Sequence, residues 1–374
     1  MKPDTTVNIT GVKFSNPVLV ASGTFGYGEE YKSLIDLNKL GGIVTKSITL
    51  KPREGQPPPR TFETPCGMLN AIGLANVGVE KFIKEKLPFL RSLRTRIIVN
   101  VAGSTISEYV EVVKRLNHCR GIDMLEINIS CPNVKEGGIA FGSKVKSAYD
   151  CIKAVKKNSS YPIIAKLSPN VTDIVEIAGA VETAGADAIS LINTLVGMAI
   201  DTEKMRPVLA NVTGGLSGPS IKPVALAMVW KVAKAVKVPV IGMGGIMNTE
   251  DALEFILAGA SMIQVGTANF VDPQTSIKIV NGISEYCKKK KIRKITDLVG
   301  KLKTDYTRVP SPLGEWARVR GILGPYQIGD LTPLRMFLVE IPPTFRSGEK
   351  EKNQTLPGVL AHCIPRAKAS GNKL

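Results

Sequence analysis

Two lysines interrupt apolar runs in this chain, Lys46 in GIVTKSI and Lys166 in PIIAKLS. An ammonium among apolar neighbours is costly unless partnered, and neither run carries an acidic residue of its own. Such a lysine could form a Schiff base with a carbonyl substrate, or act as a fixed positive charge beside an anionic group. Asn100, Asn128 and Asn193 close three further runs (RIIVNVAG, DMLEINIS, DAISLIN), and Ser22 closes PVLVAS. Singly, each reads as a turn residue. Ending successive runs, they read as the rim of one pocket. Cys131 follows directly in NISCPNVKEGG, where Pro132 and Asn133 set a turn. A thiol of pKa about 8.5 needs only a modest downward shift to work near neutral pH, as nucleophile or as proton-abstracting base. The chain has only two histidines, His118 and His362, and neither is nearby in sequence. Proton abstraction is therefore the expected role of Cys131, and a histidine-rich metal site is excluded.

Glycines supply the other chemistry. GMGGIMN holds Gly244 and Gly245, VGTANF holds Gly266 and Thr267, and GGLSG ends at Gly218. The bland reading is that they permit tight turns. Placed after the last strands of an α/β fold, they suit a phosphate held on backbone N–H groups and a helix N-terminus. Without a dinucleotide fingerprint, a phosphate here means FMN, pyridoxal phosphate or a phosphorylated substrate.

The elements that position these residues follow from periodicity. Strand-like runs cover 17–22, 42–48, 96–103, 123–130, 162–168, 187–193, 238–245 and 261–267. They are continuously apolar, as in a parallel sheet covered by helices. Helical spacing lies between most of them: Val171, Ile174, Val175, Ala178 and Val181 share one face. Eight β–α units over about 250 residues predict an α/β fold, a (β/α)8 TIM barrel. A doubly wound sheet would need G-x-G-x-x-G after the first strand, and GTFGYGEE matches poorly. Two Pro- and Gly-rich insertions, 49–75 and 194–220, follow strand ends and are expected to be binding loops at the catalytic face. The expected division is a barrel over 1–304 and a Pro-rich basic extension over 305–374, which has eight prolines and no β–α alternation.

Composition narrows the class. No apolar run is long enough to cross a membrane, and the N-terminus lacks a secretory h-region. Six cysteines without a C-x-x-C pair argue against a zinc ribbon or a local iron–sulfur motif and suggest reduced, cytoplasmic thiols. The net charge of +17 is concentrated, with +6 in the run 288–294 and +6 in 301–374. Aromatic residues make up 5% of the chain, too few for base-stacking platforms, so no nucleic-acid partner is expected.

The segments ASGTFGYGEEY, TKSITL, GMLNAIGLAN, NVAG, EINISCPNVKEGG, AKLSPNVTDI, INTL, GGLSGPSIKPVAL, IGMGGI and VGTANF occur in that order over about residues 5–304. Together they resemble the dihydroorotate dehydrogenases, and most closely the catalytic subunit of the NAD-linked heteromeric class (class 1B). The resemblance implies flavin-dependent oxidation of dihydroorotate to orotate in pyrimidine biosynthesis. It places FMN on Ser22, Lys46, Ser47, Asn100, Asn128, Lys166, Ile192, Gly218, Gly244, Gly245, Gly266 and Thr267. It places substrate against Lys46, Asn70, Ala71, Ile72, Gly73, Leu74, Asn128, Asn193 and Thr194. Cys131 would take the C5 proton while C6 gives a hydride to the flavin, with Lys166 stabilising the reduced ring. It also implies a homodimer flanked by partner subunits carrying FAD and a 2Fe-2S cluster, a heterotetramer that reduces NAD. The resemblance does not extend to 305–374. A dihydropyrimidine dehydrogenase acting on uracil or thymine, and a Schiff-base aldolase, are the alternatives.

Overall fold

The computed structural model describes residues 3–130 and 141–304. Cys131, Pro132 and Asn133 lie outside the described residues, as does the extension 305–374.

Eight short segments, buried throughout except at Arg96, form the barrel: β1 (Val18–Val20), β2 (Gly42–Val44), β3 (Arg96–Val101), β4 (Met124–Asn128), β5 (Ile163–Lys166), β6 (Ala188–Leu191), β7 (Val240–Met243) and β8 (Met262–Val265). They pair in parallel in sequence order, and β8 pairs back onto β1 to close the ring. β-branched and small side chains suit both faces of such a strand: one packs inside the barrel, the other under the helices. The expected TIM barrel is therefore present. Each strand is shorter than its apolar run, because pairing stops where the chain turns towards the rim.

Helices cover most crossovers, and their starts are written locally. Thr105 caps Ile106–Asn117 by accepting from the Glu108 N–H, and Asp173 caps Ile174–Thr183 by accepting from Val175. Asn248 caps Thr249–Ala258 in the same way through Asp251. These caps satisfy amide donors that a helix start leaves free. Ile174, Ile177, Ala178 and Val181 form the buried face of their helix, while Val171 and Val175 pack at its edge. The β1–β2 crossover departs from the pattern. It holds two single 3-10 turns, Glu29–Tyr31 and Leu37–Lys39, where positive φ angles at Gly23, Gly26 and Gly28 break any longer helix. The basic run 288–294 straddles a helix end, with Lys288 and Lys289 in the last turn of Thr275–Lys289. Cations there complement the helix dipole.

An N-terminal hairpin (Val7–Ile9 with Val12–Phe14) sits at the start of the strands, where Arg96, first residue of β3, donates to the Lys13 carbonyl at 2.7 Å. The two long insertions meet at the opposite end. Thr61–Thr64, Gly67–Asn70, Gly214–Ser217 and Leu195–Gly197 form one antiparallel four-stranded sheet. Among the described residues no helix is long and apolar enough to cross a membrane.

Candidate active site

The strand ends and the four-stranded sheet enclose a cavity of about 280 Å³. Its floor and walls carry Ser22, Lys46, Ser47, Asn128, Lys166, Ile192 and Asn193 from the rim, and Gly244, Gly245, Gly266 and Thr267 from the last two turns. The sheet adds Met68, Asn70 and Ser217, Gly218 follows it, and the loop after Asn70 adds Ile72, Gly73 and Leu74. Thr194 completes the set. Residues up to 245 positions apart in sequence thus face one space, as the rim of a barrel requires.

Two expected residues lie elsewhere. Asn100 is fully buried below the cavity, where its Nδ2 donates to Glu126 at 2.7 Å. Its Nδ2 is taken by Glu126, while its Oδ1 has no hydrogen-bond partner among the described residues. Ala71 is also fully buried and turns away into a small apolar cluster with Leu69 and Leu209. Its neighbours Asn70 and Ile72 do line the cavity.

Lys166 has the acidic partner that its own strand lacks. Barrel register sets it beside β4, and its Nζ lies 3.8 Å from the fully buried Glu126 carboxylate. The same Nζ donates to Ser22 Oγ at 3.0 Å. Glu126 escaped the sequence reading because the partner sits on the adjacent strand, 40 residues earlier; an acid inside the apolar run DMLEINIS was the available signal. Gln264, which lines the cavity from β8, was likewise missed. Lys46 follows β2 and faces the cavity half-buried. Burial, then the positive Arg60, holds its amine below the ordinary lysine range, with Glu30 opposing. Among the described residues lining the cavity none is acidic. The space is therefore cationic and suits an anionic ligand.

The asparagines are locked in place by hydroxyls. Asn128 Oδ1 accepts from Ser130 Oγ at 2.7 Å, and that hydroxyl accepts from Asn193 Nδ2 at 2.7 Å. Tyr109 OH fixes the Asn128 carbonyl at 2.7 Å. Asn70 Nδ2 donates to the Gly215 carbonyl across the sheet at 3.2 Å. Leu74 adopts φ +59°, which costs a side chain of this kind about 1 kcal/mol.

The glycine turns form a cradle. Gly245 has φ +74°, and a Cβ there would stand 2.8 Å from both the Gly218 carbonyl oxygen and the Lys222 nitrogen. Gly244 has φ +127° and would place a Cβ 2.7 Å from that of Ala225. Only glycine fits at either position, and backbone N–H groups at turns of this kind are the type that hold a phosphate.

Comparison with known proteins agrees with this architecture. The sequence profile of the family described as dihydroorotate dehydrogenase matches residues 5–287. The chain belongs to the dihydroorotate dehydrogenase family. It is 57% identical over 303 residues to the dihydroorotate dehydrogenase B (NAD(+)), catalytic subunit, of Geotalea uraniireducens, covering 81% of this chain and 99% of that one. The protein of the same name from Geobacter metallireducens is 58% identical over 301 residues, covering 80% of this chain and 99% of its own length. The crystal structure of an Eimeria tenella member in complex with ferulenol matches with a TM-score of 0.69. That match covers 80% of this chain and 88% of the other at 24% identity, a likeness of fold alone.

Proposed function

We propose that this chain oxidises dihydroorotate to orotate in pyrimidine biosynthesis as the FMN-binding catalytic subunit of an NAD-linked dihydroorotate dehydrogenase. The observation that carries the reading is one acid-free cavity with a glycine cradle at one side and Lys46 with three asparagines at the other.

The residues fit the flavin. Gly244, Gly245, Gly266 and Thr267 would hold the phosphate, Gly218 would flank it, and Ser22, Lys46, Ser47, Asn128, Lys166 and Ile192 would surround the rest. Bound FMN supplies the two-electron acceptor for the hydride that leaves C6 of dihydroorotate. Lys46 attracts the substrate carboxylate. Asn70, Asn128 and Asn193 offer both donors and acceptors to its amide and imide groups, and Thr194 and the 72–74 loop close around it. Ser130 orients two of those asparagines through one hydroxyl. Cys131, next in the chain, takes the C5 proton, so that the C5–H and C6–H bonds are exchanged for a C5–C6 double bond. Lys166 holds positive charge at the cavity floor.

Electrons then pass to a partner subunit carrying FAD and a 2Fe-2S cluster, and finally to NAD. The assembly proposed is a homodimer of this chain with two partner subunits, a cytoplasmic heterotetramer. Residues 305–374 are proposed as an extension beyond the 1–304 catalytic barrel.

The test is an anaerobic visible spectrum of the purified chain with FMN. A flavin spectrum that bleaches on adding dihydroorotate, but not dihydrouracil, is expected. Bleaching by dihydrouracil alone would move the substrate to a pyrimidine base, and a chain that takes up no flavin would overturn the reading.

A further inference from the structure

Glu126 lies beneath the cavity with no exposed surface. Its Oε1 accepts from Ser190 Oγ at 2.9 Å and from Gln264 Nε2 at 2.7 Å. Its Oε2 accepts from Asn100 Nδ2 at 2.7 Å and stands 3.8 Å from Lys166 Nζ. One carboxylate therefore gathers side chains from β3, β5, β6 and β8. Every hydrogen bond is donated to it and its remaining neighbour is a cation, the surroundings that an ionised acid requires. Two of these partners, Lys166 and Gln264, also line the cavity. The barrel thus carries a buried ion pair whose positive end faces the site and whose negative end faces away.

We propose that Glu126 is a positioning residue that sets the charge of the cavity floor. It holds the Lys166 ammonium and the Gln264 amide in place and offsets part of the lysine's positive field, keeping the reduction potential of the bound flavin low. The proposal rests on the flavin reading given above. Its physical basis is that a lone ammonium in a low-dielectric floor favours the anionic reduced ring, and a carboxylate at 3.8 Å opposes that effect.

Glu126→Gln removes the charge and keeps the shape. Its new amide nitrogen needs an acceptor. Asn100 Oδ1 and Gln264 Oε1 are buried without a hydrogen-bond partner among the described residues, so either amide can turn to supply one. Glu126→Asp does the opposite, keeping the charge and losing a methylene. The full chain is loaded with FMN, and flavin midpoint potential and sulfite affinity are measured for wild type and both variants. Sulfite adds to oxidised flavin and leaves a negative charge, so it reports the same field without turnover.

The charge role predicts a more positive potential and roughly tenfold tighter sulfite binding for Glu126→Gln, with Glu126→Asp close to wild type. A purely packing role predicts the reverse order, because glutamine is the better copy of the shape. An unshifted potential in flavin-loaded Glu126→Gln, or a Glu126→Gln chain that does not fold, would overturn the proposal alone. A wild-type chain that binds no flavin would overturn the underlying reading as well.

Discussion

Gly245 and Gly266 both border the cavity, yet alanine should act very differently at the two positions. At Gly245 the backbone holds φ +74°, and the added Cβ would meet the Gly218 oxygen and the Lys222 nitrogen and Cβ, all at 2.8 Å. The left-handed conformation costs an L side chain about 1–2 kcal/mol. Forcing apart packed backbone adds about 1–3 kcal/mol. The sum, about 2–5 kcal/mol, corresponds to a melting temperature lowered by roughly 3–8 °C in a barrel of this size. At Gly266 the φ is not of that kind, and the nearest atom to an added Cβ is Ala21 Cβ at 3.6 Å, ordinary van der Waals contact. Gly266→Ala should melt within about 1–2 °C of wild type. Ala21 and Thr24, the neighbours of that Cβ, are themselves cavity-lining, so the methyl narrows the space left for a ligand. FMN affinity should fall about tenfold or more, roughly 1.4 kcal/mol. The assays are thermal melts of the flavin-free protein and FMN titration by fluorescence quenching. Equal melting temperatures for the two variants, or a larger loss at Gly266, would refute the steric reasoning.

Cys131→Ala should lower dihydroorotate turnover by at least about a hundredfold, the scale of a lost general base, while FMN still binds with unchanged affinity; loss of flavin instead would make the residue structural. Lys46 is harder to protonate folded than unfolded, through burial first and Arg60 second. The native state then binds fewer protons, so stability should rise with pH between the lowered value and the ordinary 10.5. At neutral pH the charge opposes folding, and Lys46→Met should raise the melting temperature of the flavin-free protein by about 1–3 °C and flatten that alkaline rise, while weakening dihydroorotate binding. A lower melting temperature would show that Lys46 contributes to the fold rather than to the ligand.

Much of the site could be read from sequence because a barrel converts local order into spatial convergence. Each strand end is marked by its own residues, so Ser22, Lys46, Asn128, Lys166 and Asn193 were recognisable one at a time, and closure of the ring brings them together. The turns at Gly218, Gly244 and Gly245 were legible for the same reason, since a positive φ is a local demand. Asn100 was marked in the same way by its strand end, but its hydrogen bond to Glu126 was not announced by any local signal.

What tertiary structure alone decided is whatever depends on two distant strands at once. Nothing near Lys166 announced its counter-charge, because Glu126 comes from β4 and is held by Gln264, 138 residues further on. Nor did the two insertions carry any sign that they would pair with each other. Gly67–Asn70 and Gly214–Ser217 become neighbours only when the closed barrel sets the ends of β2 and β6 facing one cavity. Sequence determined the barrel's strand order and the chemistry of its rim, because both follow from short-range periodicity and turn formation. Closure decided which buried charges meet, because inward side chains find their partners across the ring rather than along the chain.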